Sequence, residues 1–289
     1  MRDPYKDNPS TYFVQDRSNR DEMTRLHIQD QLFTAGMGGM LSEQADPTIF
    51  EHVLDVGCGT GDWLIEAAKT YPTMTRLVGV DISERMIRYA QSQAQAQQVS
   101  DRVQFHVMDA LRKLDFPNNH FDLINQRMGF SYLRKEHWPN LLWEYQRLCK
   151  REGVIRITES GMITQSGSPA QIRLNQLVLQ ALYQAGNFFT QTSDGLTSQL
   201  PHLLRQYAGI RQVQTRAHLL EYRAGTPEWQ SFYEDVKLLY QTILPFLQKW
   251  TRVPDDYETI YWHMLKELQQ PGFVAIWPLL TVWGVKTRE

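Results

Sequence analysis

Residues 53–63, Val53-Leu54-Asp55-Val56-Gly57-Cys58-Gly59-Thr60-Gly61-Asp62-Trp63, set three alternate glycines between a short apolar run and a helical pattern. Glycines in such a turn let the chain reverse sharply and bring its backbone against a ligand with no Cβ in the way, while the next helix presents its free N–H groups. A dinucleotide fingerprint, G-x-G-x-x-G, would need its third glycine at 62, where Asp62 stands instead; the spacing here is G-x-G-x-G. Carboxylates at Asp55 and Asp62 would repel a pyrophosphate and complement a cation. The chemistry indicated is capture of a nucleotide-like cofactor that carries positive charge and no phosphate.

Two further carboxylates follow at strand ends. Arg76-Leu77-Val78-Gly79-Val80-Asp81 is a buried-type strand whose last residue lies roughly 20 positions beyond the loop, where a Rossmann-like unit puts its ribose-binding acid. Ser83 can cap the next helix with its hydroxyl, which leaves Asp81 free for that role. Val103-Gln104-Phe105-His106-Val107-Met108-Asp109-Ala110 alternates like a half-buried strand and ends in another acid, Asp109.

The loop, Asp81 and Asp109, in that order over about 60 residues, form a far more specific signal than a lone glycine motif. This set resembles the class I S-adenosylmethionine-dependent methyltransferases, of the small-molecule type found in quinone biosynthesis and natural-product pathways. The resemblance is strong over residues 50–160 and only topological outside them. It implies S-adenosylmethionine as cofactor and S-adenosylhomocysteine as product. It assigns cofactor binding to Asp55, Gly57, Cys58, Gly59 and Gly61, and the ribose hydroxyls to Asp81. Ile82 would pack on one adenine face and Leu111 on the other, with Asp109 accepting from the adenine amino group and the Ala110 N–H donating to a ring nitrogen. The backbone around Gln126 would meet the methionine part.

An activated methyl group needs mainly orientation and exclusion of water, so a dedicated catalytic residue is optional. The segment after the fourth strand, Asn125 to Tyr132, sits where open α/β folds bind ligands. Arg127 and Tyr132 are candidates to address the substrate there, although an arginine can equally bond its own loop and a tyrosine can pack. His137 is the nearest candidate general base because histidine titrates close to neutral pH. Glu159, ending the fifth strand, and His263, on a later helix, are the other polar candidates for the cleft. No clustered carboxylates indicate a metal site.

The elements that position these residues alternate from about 50 to 160. Strands are predicted near 52–57, 75–81, 102–108, 120–126 and 153–159, and helices near 61–71, 84–98 and 136–150, as expected for a parallel sheet covered on both faces. Ser168-Pro169-Ala170-Gln171 is a capping box with Gly186 as the stop, 200–209 reads as a short helix, 211–222 as a sixth strand and 278–286 as a seventh, with Pro278 at its start. The fold expected is α/β, a Rossmann-like seven-stranded, mostly parallel sheet with a helical cap. The divisions are a leading helical lid over 1–45, a cofactor-binding core over 46–225, an inserted cap over 226–272 and the final strand over 273–289.

The cap is the unusual part: Thr226-Pro227 starts one helix, Pro245 kinks or ends it, and Asp255 with Glu258 starts another. The leading helix, near 21–41, shows Met23, Leu26, Ile28 and Leu32 as an apolar stripe with Arg25 and Gln29 between them. Cap and leading helix are expected either to cover the methyl group, with Trp229, Tyr257 or Trp262 against an apolar acceptor, or to form a homodimer face.

At 289 residues the chain can bury a full core. Lys plus Arg number 30 against 32 Asp plus Glu, a net charge of -2, with no basic block and no base-reading [DNS]-P-P-[YFW] motif after the fourth strand; a nucleic-acid partner is not expected. Two cysteines, Cys58 and Cys149, suit a reducing cytoplasm. Met1 to Asp7 lack the apolar core of a signal peptide and no apolar run is long enough to span a membrane. The reading is a cytoplasmic methyltransferase acting on a small aromatic or apolar molecule. An RNA or protein methyltransferase, or a cofactor-binding regulator without turnover, would use the same core.

Overall fold

The apolar runs pair side by side. In the computed structural model, which describes Tyr12 and residues 20–287, strand β1 (His52–Val56) lies between β2 (Arg76–Asp81) and β4 (Phe121–Arg127), parallel to both. β3 (Val103–Val107) flanks β2, and β5 (Cys149–Ser160) flanks β4. Beyond β5 the long strand β8 (Val274–Val285) runs antiparallel, with β7 (Gln214–Arg223) along its other side and a two-residue strand β6 (Gln165–Ser166) beside its start. The order β3-β2-β1-β4-β5-β8, with β7 on β8, is the expected mostly parallel sheet of seven long strands, plus the short β6 that no sequence pattern announced.

Alternation along the strands sends side chains to two cores. Leu54 and Val56 join Ile124, Ile155 and Ile157 on one face, whereas Val53, Leu77 and Leu123 pack with Trp63, Leu64 and Ala90 on the other. Helices α2 (Asp62–Thr70) and α3 (Glu84–Ala96) cover the second face, and α4 (Trp138–Leu148), α5 (Pro169–Gln184) and α6 (Leu200–Tyr207) the first. Their starts follow the sequence signals. Ser83 accepts from the Met86 N–H, and Ser168 accepts from the Gln171 N–H with Pro169 at the first helical position. Gly186, at φ 81°, stops α5 in the left-handed region that favours glycine.

The inserted region forms α7 (Pro227–Thr242), α8 (Leu244–Trp250) and α9 (Tyr257–Leu268); Pro245 ends the first of these, as its missing N–H requires. α7 packs along the leading helix α1 (Arg20–Gly36), and α8 and α9 pack on α5. Of the expected leading segment, residues 1–11 and 13–19 lie outside the described residues.

Two expectations need correction. Pro278 stands inside β8 rather than at its start. Its carbonyl accepts from the Gly161 N–H, so the side that lacks a donor faces the point where β5 has ended, and the ladder with β7 is undisturbed. The leading helix does not hold Arg25 on a polar face: Arg25 is buried together with Glu22, its Nε and Nη2 donating to the Glu22 carboxylate at 2.8 Å and Nη1 to Asp235 of α7 at 3.2 Å. A buried charge pays off only as part of such a cluster.

Candidate active site

Strand order reverses between β1 and β4, so the loops leaving their carboxyl ends diverge and open a crevice. The loop after β1 is tied down by the N–H groups of Gly57 and Cys58, which both donate to the Val80 carbonyl at 2.8 and 3.0 Å. Its glycines sit at φ 72°, 53° and 79° and serve different ends. A Cβ on Gly57 would meet the Tyr132 hydroxyl at 2.5 Å, and one on Gly61 the Phe105 ring at 2.6 Å, so packing alone excludes side chains there. A Cβ on Gly59 would meet nothing within 4 Å. It would point into open space beside the loop.

That space is a cavity of about 390 Å³. Gly57 and Gly59 border it from β1, and Asp81 and Ile82 from the end of β2. Asp109, Ala110 and Leu111 border it from the loop after β3, and Arg127, Tyr132 and His137 from the segment after β4. Asp81 accepts from the Gly59 N–H at 3.1 Å and the Ser83 N–H at 2.8 Å, while Ser83 itself caps α3. Asp109 accepts from the Leu111 N–H at 2.9 Å and faces Arg112 at 3.4 Å. Ile82 and Leu111 are 36% and 37% exposed, apolar groups left uncovered on the rim of the same cavity.

A smaller acid-lined recess opens beneath α1, bordered by Asp30, Asp55, Cys58 and Asp62. Sheet register sets Asp55 opposite Asn125, and Asn125 opposite Arg156. Asn125 donates to Asp55 at 2.8 Å and accepts from Arg156 at 2.7 Å, and Arg156 pairs with buried Glu43 at 2.7 Å. Burial pushes Asp55 up to about 6 despite the opposing pull of Arg127 and the Asn125 bond. Burial also raises the Cys58 thiol well above its usual range, with Asp81 and Asp55 adding to it. Asp62 accepts from the Thr60 hydroxyl at 2.6 Å and pairs with His27 at 3.1 Å. Such an arrangement can hold a cation.

Several polar candidates do other work. Gln126 is fully buried, donating to Glu159 at 3.1 Å and accepting from the Tyr145 hydroxyl at 2.7 Å; the cavity wall begins one residue later, at Arg127. Glu159 borders none of these cavities. Its carboxylate accepts from the N–H groups of Gly129 and Phe130 at 2.7 and 3.1 Å, shaping the turn at Gly129–Ser131, and burial pushes it up to about 8.

His263 is exposed on α9 and borders no cavity. Arg127 pairs with Asp30 and lies over the Trp63 ring, and the Tyr132 hydroxyl lies 3.5 Å from the Val56 carbonyl; both side chains brace the loop while bordering the cavity. His137 accepts the Arg134 N–H on Nδ1 at 3.1 Å, which places the proton of the neutral ring on Nε2. Burial lowers its pKa, which keeps the ring neutral near pH 7, and in this tautomer the second nitrogen is a hydrogen-bond donor.

Next to this cavity lies an apolar chamber that the sequence did not disclose. It has a volume of about 70 Å³ and shares Tyr12, Leu26, Met128 and Ser131 with the glycine-loop cavity, into which it opens. Phe130, Tyr240 and Trp277 supply its aromatic walls. The aromatics expected there lie elsewhere: Trp262 is exposed, Trp229 donates to the Leu268 carbonyl, and Tyr257 donates to the Tyr240 carbonyl. One signal was available, since Gln171, Asn175 and Val178 fall on one face of α5 and put two amides on an otherwise apolar stripe. Among the described residues, no group of three or more His, Cys, Asp or Glu could hold a metal, and no helix is long and apolar enough to cross a membrane.

Comparison with known proteins agrees with this geometry. Residues 53–153 match the methyltransferase domain family. A demethylmenaquinone methyltransferase of Lactiplantibacillus plantarum is 38% identical over 99 residues, 34% of this chain and 40% of that protein. A 27-O-demethylrifamycin SV methyltransferase of Amycolatopsis mediterranei is 33% identical over 104 residues, 36% of each. The matched segment thus spans well under half the length of these relatives.

Among solved structures, a Haemonchus contortus phosphoethanolamine N-methyltransferase 2 bound to S-adenosylmethionine superposes with a TM-score of 0.57 at 18% identity, covering 98% of this chain and 61% of that one. The [4+2]-cyclase SpnF superposes at 0.55 and 18% identity, covering 97% and 99%. Residues 53–153 thus carry a methyltransferase domain, set in a fold shared with S-adenosylmethionine-dependent methyltransferases.

Proposed function

We propose that this protein transfers a methyl group from S-adenosylmethionine to a small aromatic or apolar molecule, chiefly by holding the two together away from water. The observation that carries the reading is the position of Gly59. Gly59 borders the cavity and a Cβ there would meet no protein atom, so besides the left-handed φ of 53° that favours glycine, the bare backbone leaves room for a ligand to lie against the loop. The other groups fit the same occupant. Asp81 would accept from ribose hydroxyls, Ile82 and Leu111 would cover an adenine ring, and the recess at Asp55 and Asp62 would take the cationic amino-acid end. When bound, the cofactor supplies an electrophilic methyl group.

The apolar chamber adjoining that cavity would seat the acceptor, and no side chain bordering both is placed as a general base; orientation and dryness then supply most of the rate. α1 and the inserted helices of 226–272 would act as the cover, with a homodimer face as their other use. A cytoplasmic location fits the free thiols of Cys58 and Cys149, and cell fractionation would check it.

Because the same fold also serves a [4+2]-cyclase, the test must read methyl transfer itself. Methyl-labelled cofactor incubated with fractionated small-molecule extract should label an organic-soluble product; label appearing only in RNA or protein would overturn the acceptor class. Calorimetry should show S-adenosylhomocysteine binding, weakened by about 1.5 to 3 kcal/mol in Asp81→Ala, the usual loss of a charged hydrogen-bonding partner. Equal affinities would remove Asp81 from the site.

A further inference from the structure

The buried polar groups on the wall of the apolar chamber are spent within the protein, with one exception. Asn175 donates to the Ile163 carbonyl at 3.1 Å and accepts the Tyr240 hydroxyl at 2.6 Å. The Trp277 indole N–H goes to Ser160 Oγ at 2.7 Å, and the Ser160 and Ser131 hydroxyls go to the carbonyls of Gly161 and Met128. Arg25, the one cation among the chamber's described lining residues, faces two carboxylates. Gln171 lines the same wall, is 0% exposed, and its Nε2 has no partner among the described residues.

Ser166 Oγ accepts from the Ser168 N–H at 3.0 Å and donates to Gln171 Oε1 at 2.6 Å, and with the amide placed this way round its nitrogen is turned away from that corner. The helix end carrying it is held as well. Ser168 Oγ accepts from the Gln171 N–H at 3.0 Å, while Glu267 accepts from the Ser168 hydroxyl at 2.6 Å and the Ala170 N–H at 3.0 Å. A rigid, buried N–H donor without an acceptor is unfavourable unless the molecule that fills the cavity supplies one.

We propose that Gln171 is a specificity-determining residue of the acceptor seat, its Nε2–H donating to a neutral oxygen, such as a ring carbonyl, on an otherwise apolar molecule. Neutrality follows from the charge on the wall: Glu22 and Asp235 already compensate Arg25, so an anionic acceptor would find no free cation among the described residues. Calling the chamber the acceptor seat rests on the function proposed above. The hydrogen bond itself can be tested without turnover.

The probes are 1-tetralone and tetralin, a pair of equal shape that differs by one carbonyl, titrated into the protein saturated with S-adenosylhomocysteine. The affinity ratio of tetralone to tetralin should fall about tenfold from wild type to Gln171→Met, the worth of one neutral hydrogen bond, with tetralin binding unchanged or tighter. An unchanged ratio in a variant that still binds S-adenosylhomocysteine normally would overturn the proposal. Should Q171M fail to fold, the infrared carbonyl band of tetralone bound to wild type decides: a shift to lower wavenumber relative to an apolar solvent supports the donor, and an unshifted band sinks it. Failure of wild type to bind S-adenosylhomocysteine would count against the cofactor reading alone, since the tetralone ratio can still be measured on the protein by itself.

Discussion

Apart from Tyr12 and Leu26, the residues bordering the glycine-loop cavity fall between Gly57 and His137, at the ends of successive strands, whereas the chamber beside it draws on residues from Tyr12 to Trp277. The first mixes apolar side chains with acids whose partners are a few residues away, as with Asp81 and Ser83 or Asp109 and Leu111. The second is apolar, and its geometry depends on α1 meeting α7 through a buried cluster of charges. Local chemistry makes the one robust. The other is only as well formed as its long-range packing, and substitutions should separate the two.

Arg25→Met should have the largest effect. It leaves Glu22 and Asp235 buried without their cation, and breaking such a cluster by removing one partner typically costs about 3 to 5 kcal/mol. Asp235, which burial already pushes up to about 6, would become still harder to ionise. Urea unfolding should report the loss, and hydrogen exchange should show it concentrated in α1 and α7. S-adenosylhomocysteine affinity, measured where R25M is still folded, should stay within about threefold, a few tenths of a kcal/mol. A parallel collapse of cofactor affinity would mean the two regions are one unit. The same exchange experiment reads the cover: protection of α1 and 226–272 that rises with ligand supports it, and protection that follows only protein concentration identifies a dimer face.

A smaller, pH-dependent effect should mark the acid-lined recess. With Asp55 at about 6, its carboxyl is largely neutral below that pH, and binding a cationic amino group requires the ionised form. Cofactor-product affinity should therefore fall as pH drops from 7 to 5, approaching about tenfold per unit below 6. Asp30, paired with Arg127, and Asp62, paired with His27, face the same recess, so His27→Gln serves as a control for the second pair. Asp55→Asn should flatten the profile.

Stability runs the other way. Because the folded pKa of Asp55 lies above its unfolded value of 3.8, its contribution is fully present below about 3.8 and is lost as pH rises through 6. Affinity and stability changing in the same direction over that window would exclude Asp55 as the titrating group.

How much of this could be read beforehand follows the same division. The glycine loop, Asp81, Asp109 and the five parallel strands are encoded in short, contiguous patterns, and one cavity came together from them. Glu159 was placed at the right strand end but turned inward, because a strand-end position does not say which way the next turn folds; it is consumed by the N–H groups of Gly129 and Phe130. Arg25 looked like a solvated residue between apolar neighbours, and only Asp235, 210 positions away, explains its burial. Gln171 was expected to close a capping box with its side chain, but only its backbone N–H joins the cap; the Ser168 N–H goes to Ser166 Oγ, and the Gln171 side chain meets a chamber that no single segment defines.

The smallest effect expected, and the one that probes the cofactor cavity most finely, is at Asp109. Its Oδ1 is already committed to the Leu111 N–H, and its Oδ2 faces the exposed Arg112, which leaves the second oxygen as the acceptor for an adenine amino group. Asp109→Asn can keep the Leu111 bond with its carbonyl oxygen, and it then presents an NH₂ where the carboxylate presented an acceptor. The loss in S-adenosylhomocysteine affinity should be about 0.5 to 1.5 kcal/mol, the worth of one neutral hydrogen bond, smaller than for D81A, which removes the acceptor of both ribose hydroxyls. The exchange of acceptor for donor gives a sharper readout than the loss itself. S-inosylhomocysteine carries an oxygen in place of the adenine amino group, so wild type should prefer the adenosyl ligand and D109N should move the preference toward the inosyl one. If the ratio of the two affinities does not change sign or shrink, the adenine does not sit against Asp109, and the base must lie elsewhere along the rim between Ile82 and His137.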